Sequence, residues 1–222
     1  MKTTATRRGM AAALLALGLG GCGELQNPSL VTLDQDDGIP PVNVDGEVLA
    51  GVGTSVAACT GSDMVGDYTV DYVETADGGC LVTFNDTVEI FDEASARAAN
   101  KQLGNQPILG INAIRLRVMA FSLADAANGA AFDTGPGNVS SLELVVDGVL
   151  LDADLNGPFP EEVALGEPTV DKVSDSVGSG MAANSDLDLR VTLTPAGRSS
   201  FPTDLAITFN AQPEVDLAVA LN

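Results

Sequence analysis

The stretch Leu187 to Leu193 constrains this chain most, because Leu187, Leu189, Val191 and Leu193 alternate with Asp188, Arg190 and Thr192. A period of two puts the apolar side chains on one face of an extended strand and the polar ones on the other. Such a strand needs a dry side and a wet side, which an antiparallel sheet provides. The pattern recurs at Leu205, Ile207 and Phe209, and again at Val215, Leu217, Val219 and Leu221. Leu142, Leu144 and Val146 run into Asp147-Gly148 and then Val149-Leu150-Leu151, the signature of a two-residue hairpin. Thr69 to Val73 and Cys80 to Phe84 flank Glu74-Thr75-Ala76-Asp77-Gly78-Gly79, a turn of residues that tolerate positive φ. Ile114, Leu116 and Val118 share one phase, whereas Met119, Phe121 and Leu123 share the other. A phase flip inside one strand implies a bulge or a change of sheet.

One helix is predicted, with Asp92 as N-cap, Ala94 through Leu103 as good helix formers, Lys101 near the end and Gly104 just past it. Many short strands joined by Gly, Asn and Asp turns make the expected fold mainly β, an antiparallel β-sandwich with one short α-helix over residues 47–222. With no Trp and two Tyr, its core must come from Val, Leu, Ile and the seven Phe. Residues 22–46 read as a flexible, disordered acidic tether: Pro28, Asp34-Gln35-Asp36-Asp37 and Pro40-Pro41 sustain neither period, and the prolines resist helix.

Residues 1–21 have the form of an export signal. Lys2, Arg7 and Arg8 form a basic head, and the apolar segment from Met10 to Leu19 falls well short of the roughly 20 residues a transmembrane helix needs. Leu19-Gly20-Gly21-Cys22 closes it and resembles the lipobox of bacterial lipoprotein precursors. The resemblance implies cleavage before Cys22, fatty acyl chains on that cysteine, and attachment to a membrane through them. Gly23 stands where many inner-membrane lipoproteins carry Asp, so the same resemblance implies the outer membrane. The other reading is an ordinary secretory signal, with Cys22 a half-cystine. Thr6-Arg7-Arg8-Gly9-Met10 partly resembles a twin-arginine signal but lacks the usual Phe-Leu after the arginine pair, and the general secretory route is preferred. With Cys22 acylated, Cys59 and Cys80 are an even pair in an oxidising compartment and are expected to form a disulfide.

The formal charge is −21, and residues 1–21 hold three basic residues and no acid, so cleavage makes the body more negative still. That charge excludes nucleic acid, whose phosphates require Lys and Arg, and expresses itself most simply as solubility. The chain has no histidine, which removes Ser-His-Asp triads, Cys-His dyads and imidazole zinc sites. The motif that does carry chemistry is Asp152-Ala153-Asp154-Leu155-Asn156-Gly157, which matches the D-x-D-x-N-G opening of a calcium loop. Asp152, Asp154 and Asn156 would supply the oxygens. The twelfth position is Val163 in place of a bidentate glutamate, and Pro158 and Pro160 forbid the helix that follows in an EF-hand. A solvated hairpin end explains the same residues.

These features predict a non-catalytic, lipid-anchored envelope protein with a binding or structural role at the outer membrane or cell surface. Its partners would be the membrane, through acyl chains, and an envelope or surface protein, with no cofactor required. Calcium-dependent adhesion or assembly is the first alternative. A carboxylate-dependent hydrolase of envelope glycans is the second, and it needs two acids facing one another across a cleft.

Overall fold

The computed structural model describes residues 29–33, 39, 41–94, 97 and 108–219. The predicted signal segment, Cys22, the Asp34-Asp36-Asp37 cluster, Lys101 and Leu221 lie outside them, as does most of the predicted helix, of which Glu93, Ala94 and Arg97 are described and helical. The strands are β1 (Ser29–Leu33), β2 (Val42–Leu49), β3 (Thr60–Val65), β4 (Tyr68–Glu74), β5 (Cys80–Phe91), β6 (Ile108–Asp125), β7 (Val139–Val146), β8 (Val149–Leu151), β9 (Glu161–Ala164), β10 (Ala183–Leu193) and β11 (Leu205–Val219). Three further helices are α1 (Val52–Ala58), α2 (Glu167–Ser179) and α3 (Pro195–Ser200).

Two antiparallel sheets pack face to face as a sandwich. The first runs β1-β11-β6-β9, with β2 sharing the β11 edge beside β1, and the second runs β3-β4-β5-β10-β7-β8. β10 shows why the sheets meet where they do: Ala183, Ser185, Leu187, Leu189, Val191 and Leu193 are all buried, and the residues between them are not. Phe84, Phe91, Ile114, Leu116 and Leu144 fill the space between the layers, each almost wholly removed from water. Burying a side chain of this size contributes about 1.5–3 kcal/mol, so the sandwich rests on this interlayer core.

The phase flip in β6 is a bulge. Asn210 pairs with Ala120 and Ala211 with Val118, so Met119 has no cross-strand partner and turns outward, 44% exposed. Ile114, Leu116 and Val118 before it and Leu123 after it then all reach the same core. The β7–β8 hairpin turns on Asp147 and Gly148, both in the left-handed region at φ 49 and 77. This is the two-residue geometry that matches strand twist and that Asp-Gly accommodates.

Two sequence expectations need correction. The stretch 22–46 is not all tether, because β1 and the first half of β2 lie inside it and both pair with β11. Ser29–Leu33 is only five residues long, and its partner Val215–Val219 lies at the far end of the sequence, so no local pattern announces the pairing. The fold also holds more than one short helix. α2 opens with Pro168 in its first turn and closes on Gly180 at φ 70, and α3 opens with Thr194 Oγ1 accepting from the Gly197 backbone N–H. Those start and stop residues are legible in the sequence; α1 and α3, at seven and six residues, are too short to show a helical period.

Candidate functional site

Cys59 and Cys80 are joined, with Cα atoms 5.8 Å apart. Cys59 ends α1 in a left-handed conformation, Cys80 begins β5, and neither is exposed. The bond fastens α1 to the β4–β5 turn. Arg198 on α3 closes the same junction: its guanidinium donates to Ala57 O at 2.8 Å, Gly78 O at 3.1 Å and Glu74 Oε1 at 2.8 Å. Two of the chain's three cysteines are therefore spent on structure, and Cys22 is the third.

Asp152, Asp154 and Asn156 lie exposed in the β8–β9 connection, pinned beneath by Leu155, which is 2% exposed. Asp154 Oδ1 accepts the Asn156 backbone N–H at 3.0 Å, and Asp154 O accepts that of Gly157 at 3.0 Å, so this carboxylate shapes its own turn. Asn156 Oδ1 accepts from Thr134 Oγ1 at 2.6 Å, and Glu161 accepts from the Asp154 N–H at 2.8 Å. Among the described residues, no three acidic or thiol side chains converge as a metal-holding group.

A carboxylate-lined cleft, which the sequence does not announce, opens between the sheets. β2 supplies Val44 and Glu47 on one side, and Asp67 of the β3–β4 turn, Tyr68 of β4, and Asp86 and Glu89 of β5 line the other, around a volume of about 460 Å³. A second hollow of about 460 Å³ shares Asp67 and Asp86 and continues over β10 to Asp186 and Asp188. Among the described residues, neither hollow is lined by Lys or Arg. Burial pushes the Asp86 carboxyl above its usual range and the Asp67 charge adds to this, while the Thr87 backbone N–H, 2.7 Å from Asp86 Oδ1, pulls the other way. Burial also raises the Tyr68 phenol, with the Glu47 and Asp86 charges adding to it. No sequence signal marks this cleft, because it depends on how β2 of one sheet meets β5 of the other.

Arg115 and Arg117, which alternate with the buried Ile114, Leu116 and Val118, are paired across the sheet. Arg115 meets Asp216 at 2.8 Å and Glu214 at 3.5 Å, and Arg117 reaches Glu214 at 4.0 Å. A tighter polar hub sits at the β7–β8 turn. The Asp147 side chain is 3% exposed and accepts from Lys172 Nζ, from Thr169 Oγ1 at 2.6 Å and from the Asp186 backbone N–H at 3.1 Å. Burial works against its charge, but the Lys172, Thr169 and Asp186 hydrogen bonds outweigh it and hold the carboxyl below the usual range. Lys172 is thereby committed to an ion pair.

Comparison with known protein families, with curated proteins and with solved structures returns no match. No helix among the described residues is long and apolar enough to cross a membrane.

Proposed function

We propose that this chain is a lipid-anchored protein of the cell envelope whose sandwich body has a non-catalytic binding or structural role, with the outer membrane as its site. The observation that carries the reading is Leu19-Gly20-Gly21-Cys22 behind a short apolar segment. The Cys59–Cys80 bond supports it, because a buried disulfide suits an oxidising compartment and leaves Cys22 as the cysteine available for acylation. Each buried CH₂ contributes about 0.8 kcal/mol, so two or three acyl chains hold a protein at the bilayer where one does not. Replacing Cys22 by Ser is expected to abolish acylation and cleavage, leaving unprocessed precursor or a soluble form. A Cys22→Ser protein that still runs at mature size in the membrane fraction overturns the proposal.

In this reading the body needs no cofactor. Asp154 Oδ1 and Asn156 Oδ1 already accept hydrogen bonds from the Asn156 N–H and the Thr134 hydroxyl, which supports that view. The melting temperature is therefore expected to stay flat as calcium rises into the millimolar range. A calcium-induced rise that disappears in an Asp152→Ala/Asp154→Ala variant would establish the adhesion or assembly reading instead.

The cleft gives the glycan hydrolase reading one observation in its favour: two neighbouring acids, with Asp86 held toward its protonated form, as a general acid requires. Turnover of an envelope glycan that is lost in Asp86→Asn would support it. No turnover by the intact protein dismisses it.

A further inference from the structure

β1 shortens the link between anchor and body. All five of its residues pair with β11, from Ser29 opposite Val219 to Leu33 opposite Val215. Leu33 is 2% exposed, and Thr32 Oγ1 donates to Asp216 Oδ1 at 2.6 Å. Asp216 is itself held by Arg115, so the strand is tied through side chains as well as backbone. Only residues 23–28 then separate Cys22 from the folded sheet. At about 3.5 Å per residue this link spans at most about 25 Å, whatever its conformation. The body is much longer: β6 alone has 18 residues and, at roughly 3.3 Å each, extends nearly 60 Å.

The two ends of the first sheet differ. Ser29 pairs with Val219 and Val219 with Ile108, so the link enters where β6 begins. Leu205 pairs with both Asp125 and Leu49 at the opposite end, where α1 follows and the Gly53 N–H donates to Thr203 O at 3.0 Å. α3 and the disulfide belong to that far end through Arg198 and Cys59.

We infer that the bilayer surface is the partner of the Ser29 end, so that the body stands end-on with α1 and α3 turned away from lipid. The inference rests on acylation of Cys22. Charge acts in the same sense: the chain carries −21, and repulsion from anionic headgroups, felt over about 10 Å at 0.1 M salt, opposes laying a long flank on the membrane. An envelope protein partner therefore meets the α1–α3 end or the flanks, and the Ser29 end is covered by headgroups.

The test uses the natively acylated full chain in vesicles of phosphatidylethanolamine and phosphatidylglycerol carrying a headgroup-attached quencher. A fluorophore is placed on Asn112→Cys, exposed in β6 near the Ser29 end, or on Ala127→Cys, exposed just past Asp125. The Cys59–Cys80 bond leaves the new thiol as the one to be labelled. Quenching is expected to be several-fold stronger at residue 112 than at 127. Inserting a flexible Gly/Ser segment of about 30 residues between Pro28 and Ser29 is expected to bring the two together. Equal quenching without the insert, or stronger quenching at 127, overturns the inference. Flotation with the vesicles is scored separately: a chain that does not float refutes the acylation reading, and this inference with it.

Discussion

Replacing Cys59 and Cys80 together by Ala is expected to lower the stability of the body by about 3 kcal/mol, the chain-entropy value for a closed loop of this size. The bridged residues are 21 apart in sequence. The loop they close contains β3, β4 and the β4–β5 turn, so the bond removes much of the freedom that this part of the unfolded chain would otherwise have. Neither cysteine touches water in the fold, and α1 has only seven residues to hold its own end. Arg198 would still bridge α1 and the turn in the variant, which argues for a destabilised body over an unfolded one. Denaturant midpoints for the parent, the double variant and the reduced parent measure the effect. A double variant within about 0.5 kcal/mol of the parent, the range of neutral surface changes, would contradict the pairing.

Asp147→Ala is expected to cost a comparable amount, about 3 kcal/mol, from two physical sources. Hydrogen bonds to a charged group contribute about 1.5–3 kcal/mol, and a non-glycine residue without a local acceptor is strained by about 1–2 kcal/mol in the left-handed region. Asp147 carries both burdens, at φ 49 with Lys172, Thr169 and Asp186 all donating to it. Asp147→Asn separates them, since Asn tolerates this backbone and keeps an acceptor but lacks the charge; it should recover a large part of the loss. The pH dependence has a definite sign. Asp147 is held below its usual range, so its contribution is fully present above about pH 4 and is lost as pH falls through its lower folded value. Asp86 acts oppositely: its folded carboxyl lies above the usual range, so its charge opposes the fold at neutral pH and the penalty fades as pH falls toward that of the free side chain. Asp86→Asn should therefore raise the melting temperature at pH 7 with little effect at pH 4, whereas Asp147→Asn should flatten the acid limb of the stability profile. Melting curves across pH 3–8 read both effects.

Much of the sandwich is visible in residue order because its strands are wet on one face. β10 shows its buried set as a strict alternation, and the flip at Met119 marks a bulge because one extra residue must reverse every side chain after it. Asp147-Gly148 could be read as a hairpin because few other residue pairs tolerate its backbone. β1 and β2 were hidden for the opposite reason. Their apolar residues do not alternate strictly, Leu30-Val31 and Val48-Leu49 being adjacent, Gly46 at φ 62 interrupts the second strand, and their partner lies far along the chain. The disulfide followed from counting cysteines, which needs no geometry. The carboxylate cleft could not be anticipated, because Glu47, Asp67 and Asp86 meet only through the packing of one sheet on the other.

The most direct test is the mass of the N-terminal peptide from protein isolated out of its native membrane. Anchoring through Cys22 predicts a peptide that begins at that cysteine and is heavier by its fatty acyl chains. A peptide that begins upstream of Cys22, or one with an unmodified thiol there, would contradict it.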